Sequence, residues 1–287
     1  MQSLQGPLYM LLSCVLFSVM GGLIRHLSLM DFHPFMTAFA RTLFAIFFLL
    51  PTFYNVGLPG LKKDRFPLHL FRGIASGIAV IASFYAVTVI PLANAVSYSF
   101  AAPVIATVLA VIFLKERIRI PRIMAIIFGF IGMLILLRPG TVPLSMGVIA
   151  AVISSIAVAF AIICIRSLSQ TDKANVVAIY SLIITLPISF AFALTVWTWP
   201  TTEQWPYMIL VGMSAALAQF SISKAFSNSE TTAIMPIDFT RLLFSALIGY
   251  FFFAETPDIY TFIGASVILA SAVYAAHREM LRKKSAL

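Results

Sequence analysis

The stretch Ile24-Arg25-His26-Leu27-Ser28 returns 141 residues further on as Ile165-Arg166-Ser167-Leu168-Ser169, with Gly6 and Gly147 in the same register. Beyond it the register becomes 139. Pro67 then falls on Pro206, Gly73 on Gly212, Ala86 on Ala225, Phe100 on Phe239, Phe113 on Phe252 and Glu116 on Glu255. The chain is therefore read as two copies of one unit, 1–140 and 141–287.

Both copies are apolar. The chain is 61% hydrophobic and 10% charged, with mean hydropathy +1.02, where soluble domains carry roughly 25% charged residues. Apolar runs of about 20 residues recur along the whole length, the amount of helix a bilayer needs. Inside hydrocarbon the backbone must satisfy its own polar groups, so these runs are expected to be helices. Ten spans fit: 8–27, 34–54, 70–90, 93–114, 121–138, 146–166, 176–197, 207–226, 232–253 and 259–277. The expected fold is an all-α polytopic membrane protein of ten transmembrane helices in two five-helix repeats. Five is odd, so the second repeat enters the bilayer inverted, with a site expected between the halves. The first run starts near Leu8 without a basic flank before it or an A-x-A end, and is read as a true span rather than a cleaved signal.

The formal charge of +9 is not a nucleic-acid signal, because the basic residues sit in short loops. Lys62, Lys63, Arg65, Arg72, Lys115, Arg117, Arg119, Arg122, Arg166, Lys173, Arg278, Arg282, Lys283 and Lys284 all fall on one side of a ten-span chain. The other side has Arg25 and Arg138 with Asp31, Glu203, Glu255 and Asp258. The basic side is expected to be cytoplasmic, with both termini inside. Trp197, Trp199 and Trp205 are then expected at the outer interface. Cys14 and Cys164 lie within apolar spans and read as buried thiols. No metal-ligand spacing, disulfide framework or cofactor motif stands out. The partners expected are the lipid bilayer and a small solute, and a monomer is compatible with the reading.

Charges within the hydrocarbon are costly and point to function. Arg41, Lys224, Asp238 and Arg241 are such charges. Asp238 and Arg241 are three apart and can pair on one helix face. Together they either wall a substrate cavity or clamp a helix in place. Once paired, Asp238 could not cycle a proton, and transport would run without proton coupling. Lys224 reads more readily as a side chain reaching for the cytoplasmic interface than as part of a site. Arg41 either binds a carboxylate or caps backbone carbonyls of a broken helix, with the structural role favoured. Small and polar stripes run through Asn94, Ser97, Tyr98 and Ala101 and through Gly212, Ala215, Ala216, Gln219 and Ser223, at helical spacing. Either stripe could line a wet cavity or allow close helix packing. Ser18 and Tyr85 add polar candidates. Phe84, Phe100 and Phe160 are candidates for an aromatic lining suited to flat solutes. The candidate substrate-binding set is Ser18, Phe84, Tyr85, Asn94, Tyr98, Phe100, Phe160, Gln219, Asp238 and Arg241.

These residues carry a resemblance. The run Ala93-Asn94-Ala95, then Pro103, then Phe113-Leu114-Lys115-Glu116-Arg117, then Gly129 and Gly132, with Arg41 in a Phe-Ala-Arg setting, resembles the drug/metabolite transporter superfamily, EamA type. Within it, the segment from Ser18 to Ser28 is similar to the first span of bacterial aromatic amino acid exporters. The resemblance implies a carrier in the bacterial inner membrane, exporting amphipathic metabolites such as aromatic amino acids by alternating access. Uptake of a nucleotide-like or vitamin metabolite is the alternative within the superfamily. An intramembrane enzyme would need clustered acids, His or metal ligands, whereas His26, His33, His69 and His277 lie apart near span ends, so an enzyme is not expected. Two departures stand out. Leu242 occupies the place of Pro103, with a proline displaced to Pro236. Asp238 and Arg241 have no charged counterparts in the first half.

Overall fold

In a computed structural model of the chain, the described residues are 5–56, 65–114, 120–137, 145–168, 172, 174–228, 237–238, 240–256 and 258–285. Several residues that the sequence singles out lie outside them, among them Lys63, Glu116, Arg138, Lys173, Pro236 and Phe239. Among the described residues the structure is all-helical, without strands. The helices are α1 (Gln5–Leu29), α2 (Pro34–Val56), α3 (Phe66–Val89), α4 (Leu92–Ser99), α5 (Ala101–Leu114), α6 (Ile120–Leu137), α7 (Met146–Leu168), α8 (Ala174–Leu194), α9 (Gln204–Asn228), α10 (Thr240–Phe253) and α11 (Ile259–Ser285). Among the described residues five segments are long and apolar enough to cross a membrane: Gln5–Leu29, Phe66–Val89, Met146–Ile165, Val176–Leu194 and Gln204–Ile222. Large apolar side chains also face outward, Phe251 at 73% and Phe252 at 77% exposure among them. Such a surface needs lipid against it.

Local chemistry sets the helix ends. Asp31 ends α1 in the left-handed region (φ 59°). There the Phe32 N–H returns to the Leu27 carbonyl at 3.0 Å and the Asp31 N–H to Ser28 at 3.2 Å, a Schellman closure. Pro91 stops α3, and the residue before it, Ile90, is extended (φ −115°, ψ 160°), as proline demands of its predecessor. The break between α4 and α5 has a related cause, since Pro103 has no N–H to return to the Ser99 carbonyl. At the start of α9 the Thr201 N–H donates to Gln204 Oε1 at 2.9 Å, one half of a capping box, while the Gln204 N–H donates to the Thr201 carbonyl at 3.0 Å.

The main packing joins the first 140 residues to the rest. α1 packs on α9 and α10, α3 on α7 and α8, α2 on α8 and α9, α5 on α7, and α6 on α11. Glycines permit the closest approaches. A Cβ at Gly73 would lie 2.5 Å from Ile184 of α8, and one at Gly212 would lie 2.3 Å from Phe44 of α2.

Candidate functional site

A cavity of about 650 Å³ lies among α2, α3, α7, α8 and α9. Its wall therefore draws on both sequence halves. Small residues open the space: Ala45, Ser76 and Ala79 on one side, Ala161, Ala178, Ala215 and Ala216 on the other. It extends toward the end of the bundle where α3 and α8 begin and α7 and α9 finish, because Arg72, Ala178, Ile165 and Lys224 all line it. Val80, Val158, Ile162, Ile179, Leu182 and Phe220 give it apolar walls, and Ser76, Ser181, Thr185 and Gln219 give it neutral polar groups.

Among the described residues three cations line this cavity, Arg41, Arg72 and Lys224, and no Asp or Glu does. Arg41 makes no hydrogen bond or ion pair among the described residues, and its Nε is buried without a partner. Arg72 donates from Nη1 to the Val177 carbonyl, while its Nε is also buried and unpartnered. Lys224 sits over the Phe220 ring, 5.7 Å from the centroid. The cavity is thus a positive field inside low-dielectric walls, which concentrates negative charge.

Of the sequence candidates, Gln219 alone lines this cavity. Ser18, Phe100, Asp238 and Arg241 meet elsewhere, where α1 faces α10. Ser18 donates to the Arg241 carbonyl at 3.1 Å and accepts from Ser245 at 3.1 Å. Arg241 donates to Ser99 Oγ at 3.2 Å and lies over the rings of Phe100 (5.3 Å) and Phe17 (5.9 Å). Asp238 Oδ1 lies 3.8 Å from the Cys14 thiol, its hydrogen-bond donor. No ion pair joins Asp238 to Arg241 among the described residues, so the expected pairing is not formed. The guanidinium is instead drawn to a hydroxyl and two aromatic faces. With the pair goes the sequence argument for transport without proton coupling.

The other candidates pack. Phe84 is 4% exposed, in a core with Ile81 and Val211. Tyr98, 6% exposed, packs with Phe100 and Ile268, and its carbonyl accepts from Ser155 at 2.8 Å. Asn94 accepts from Thr261 at 2.7 Å. Tyr85 is half-buried, 6.5 Å from the Phe35 ring, and Phe160 lies 5.9 Å from Phe71. Both thiols are buried. His69, 1% exposed, meets Asp172 at 2.9 Å and stacks on Tyr180 at 4.2 Å. Sequence reasoning missed Arg72, which it took only as an orientation signal, and Ser76, Ser181 and Thr185. It flagged Arg41 and Lys224 as intramembrane charges but assigned them elsewhere, although their cost in hydrocarbon was already the signal.

A polar network ties the other end of the bundle. Arg25 pairs with Glu255 at 3.0 Å and donates to the carbonyls of Val87 (2.9 Å) and Ile90 (3.0 Å). Glu255 also accepts the Leu92 N–H at 2.7 Å. A negative carboxylate here meets the positive N-terminus of α4. One carboxylate thereby ties α1, the α3–α4 turn and the end of α10 together on the side away from the cavity's charged end.

The chain belongs to the EamA-like transporter family, whose model matches residues 4–138 and again 145–276; it is a multi-pass membrane transporter of the drug/metabolite type. It is 29% identical over 276 residues to an S-adenosylmethionine uptake transporter of Rickettsia prowazekii, covering 96% of this chain and 94% of that one. The S-adenosylmethionine uptake transporter of Rickettsia felis is 31% identical over 256 residues, covering 88% and 86%. A riboflavin transporter of Vibrio cholerae is 25% identical over 285 residues, covering 98% and 96%. A crystal structure sharing 18% sequence identity superposes with a TM-score of 0.64 over 96% of each chain, and so shares the fold.

Proposed function

We propose that this protein is an uptake carrier for a nucleoside-like or vitamin-like metabolite, bound among α2, α3, α7, α8 and α9 and moved by alternating access. The observation that carries this is the cavity of about 650 Å³ with walls from both sequence halves. Its volume is in the range of small-molecule sites, roughly 300–1,000 Å³. An aromatic amino acid would leave much of it empty. The relatives named for S-adenosylmethionine uptake and for riboflavin favour the same reading over amino acid export.

The moving parts are two inverted five-helix repeats, 1–140 and 141–287. In this reading α4 and α5 together make one span, and 237–238 with α10 make its counterpart. The packing supports it. Exchanging the repeats turns the α1–α9 contact into α7–α3, α2–α9 into α8–α3 and α1–α10 into α7–α5, and each of these pairs packs. A bundle built this way can rock one repeat against the other around a fixed site. The protein sits in the bacterial inner membrane with both termini inside, as the lysine and arginine bias supports. The cavity's charged end then faces the cytoplasm, and the Arg25–Glu255 network closes the outer side.

The test is uptake into proteoliposomes of radiolabelled riboflavin, S-adenosylmethionine, adenosine, adenosine monophosphate, phenylalanine and tryptophan. Entry of at least one flavin- or nucleoside-class solute, saturable and abolished by boiling the protein, is the expected result. Movement of the aromatic amino acids alone would return the function to amino acid export.

A further inference from the structure

We infer that the substrate carries an anionic group, a phosphate ester or a carboxylate, and that Arg41 is its deep counter-ion, with Arg72 and Lys224 drawing it in. This rests on the carrier reading of the cavity given above. The sequence leaves Arg41 between binding a carboxylate and a structural role, and among the described residues the geometry gives it nothing structural to hold.

The contrast among the arginines carries the argument. Arg25 is met by Glu255 and two carbonyls. Arg65 donates to the Ser167 carbonyl at 2.8 Å. Arg241 has the Ser99 hydroxyl and two ring faces, although its Nε too is buried without a partner. Arg41, in α2, has no protein acceptor among the described residues, and its Nε is buried. A guanidinium in hydrocarbon that is matched by no carboxylate or carbonyl is costly, and such groups mark substrate or ion paths. Its fork of donors fits a phosphate or carboxylate two-pronged. Arg72 lines the same space and keeps a buried, unpartnered Nε, and Lys224 adds a third charge where α9 ends.

Among the described residues no carboxylate lines the cavity to offset these charges, so the field discriminates by sign. A neutral flavin gains nothing from it, whereas a phosphorylated one does. The sulfonium of S-adenosylmethionine is opposed by the same field that welcomes its carboxylate. The hydroxyl of Ser181 and the amide of Gln219 then serve the neutral part of the solute.

The experiment uses the full chain purified in detergent, with two sets of probes. The first probe is inorganic pyrophosphate, followed by thermal unfolding. It should raise the midpoint of the wild type, fail to do so in Arg41→Gln, and retain part of the effect in Arg41→Lys. The second set is matched pairs, riboflavin against riboflavin 5′-phosphate and adenosine against adenosine 5′-monophosphate, measured by competition with pyrophosphate. The phosphorylated member should bind on the order of 10- to 100-fold more tightly, as expected for hydrogen bonds to a charged group, and Arg41→Gln should erase the difference. Lys224→Gln, at the exposed end of the cavity, gives the same comparison if Arg41→Gln fails to fold, with a smaller loss. Equal affinity within both pairs, or a pyrophosphate shift indifferent to Arg41→Gln and Lys224→Gln, overturns the anion site. An Arg41-dependent pyrophosphate shift with no entry of any nucleoside- or flavin-class solute upholds the anion site and overturns the carrier reading instead.

Discussion

Gly73 and Gly212 each let a helix press against a bulky side chain of the opposite sequence half. A Cβ at Gly73 would meet Ile184 Cβ at 2.5 Å, and one at Gly212 would meet Phe44 Cβ at 2.3 Å and Phe44 backbone atoms at 3.2 Å. The two positions coincide when the sequence is laid on itself in the 139 register, and their partners sit on α8 and α2, which pack on each other. Close approach through glycine is a common means of joining helices in lipid, where apolar burial gives little drive.

Gly212→Ala should therefore destabilise the bundle by about 1–3 kcal/mol, the usual cost of forcing extra volume into a packed contact. Gly73→Ala should cost a similar amount, because the nearest atoms include Ile184 Cβ, which is fixed to the α8 backbone and cannot swing aside. Thermal unfolding in detergent measures both. An unchanged midpoint for Gly212→Ala would show that the α2–α9 contact is looser than described.

Arg25 and Glu255 should be energetically coupled. Their side chains are 19% and 9% exposed, and removing one partner leaves the other half-buried without its charge. A double-mutant cycle with Arg25→Gln and Glu255→Gln is expected to give a coupling of about 1–3 kcal/mol, as for residues in one network. Arg25→Gln should cost more than Glu255→Gln, since it also loses the hydrogen bonds to the Val87 and Ile90 carbonyls, whereas Glu255→Gln still offers an oxygen to the Leu92 N–H. Strict additivity would remove the pair from any role in closing that side.

Tyr98→Ala and Gln219→Ala should fail in different ways. Tyr98 is buried among Phe100 and Ile268, so its truncation should lower stability and yield, by about 3 kcal/mol or more as for other buried aromatics. Gln219 lines the cavity, so its truncation should leave the unfolding midpoint within about 0.5 kcal/mol while raising KM for transport. Yield, melting and KM are measured on the same preparations. A normal melting curve with lost transport for Tyr98→Ala would move Tyr98 back into the site.

Orientation can be tested with single cysteines and an impermeant thiol reagent on intact cells. Glu203 is exposed beside the Trp-bearing turn and should label as Glu203→Cys. Lys63→Cys and Lys284→Cys should not. Gln204, the neighbour of Glu203, makes a poor reporter: it is 7% exposed and donates to the Met30 carbonyl at 2.9 Å. Labelling of Lys284→Cys from outside would invert the topology argued from the basic loops.

The membrane class, the helical content and the family were legible in the sequence, because they rest on quantities that survive without coordinates. Apolar runs of bilayer length can only be helices, and the Ile24–Ser28 and Ile165–Ser169 repeat is visible by shifting the chain. Pro91 announced where α3 stops, since the missing N–H acts locally, but the break at Phe100 inside the expected span 93–114 was not anticipated. The site was not legible to the same degree. Helical spacing shows that Asn94 and Tyr98 share a face, but not that Asn94 meets Thr261 while Tyr98 is sealed in a core. Three-residue spacing permits an Asp238–Arg241 pair, yet Ser99 and Phe100, brought from α4 and the α4–α5 break, take the guanidinium instead. Arg41, Arg72 and Lys224 stand on three helices far apart in sequence, and only their packing makes one positive cavity of them. The sequence alone determined which groups are expensive to bury. The tertiary structure decided which were given partners and which were left facing a cavity, because a partner depends on the helix across the way and not on the neighbour along the chain.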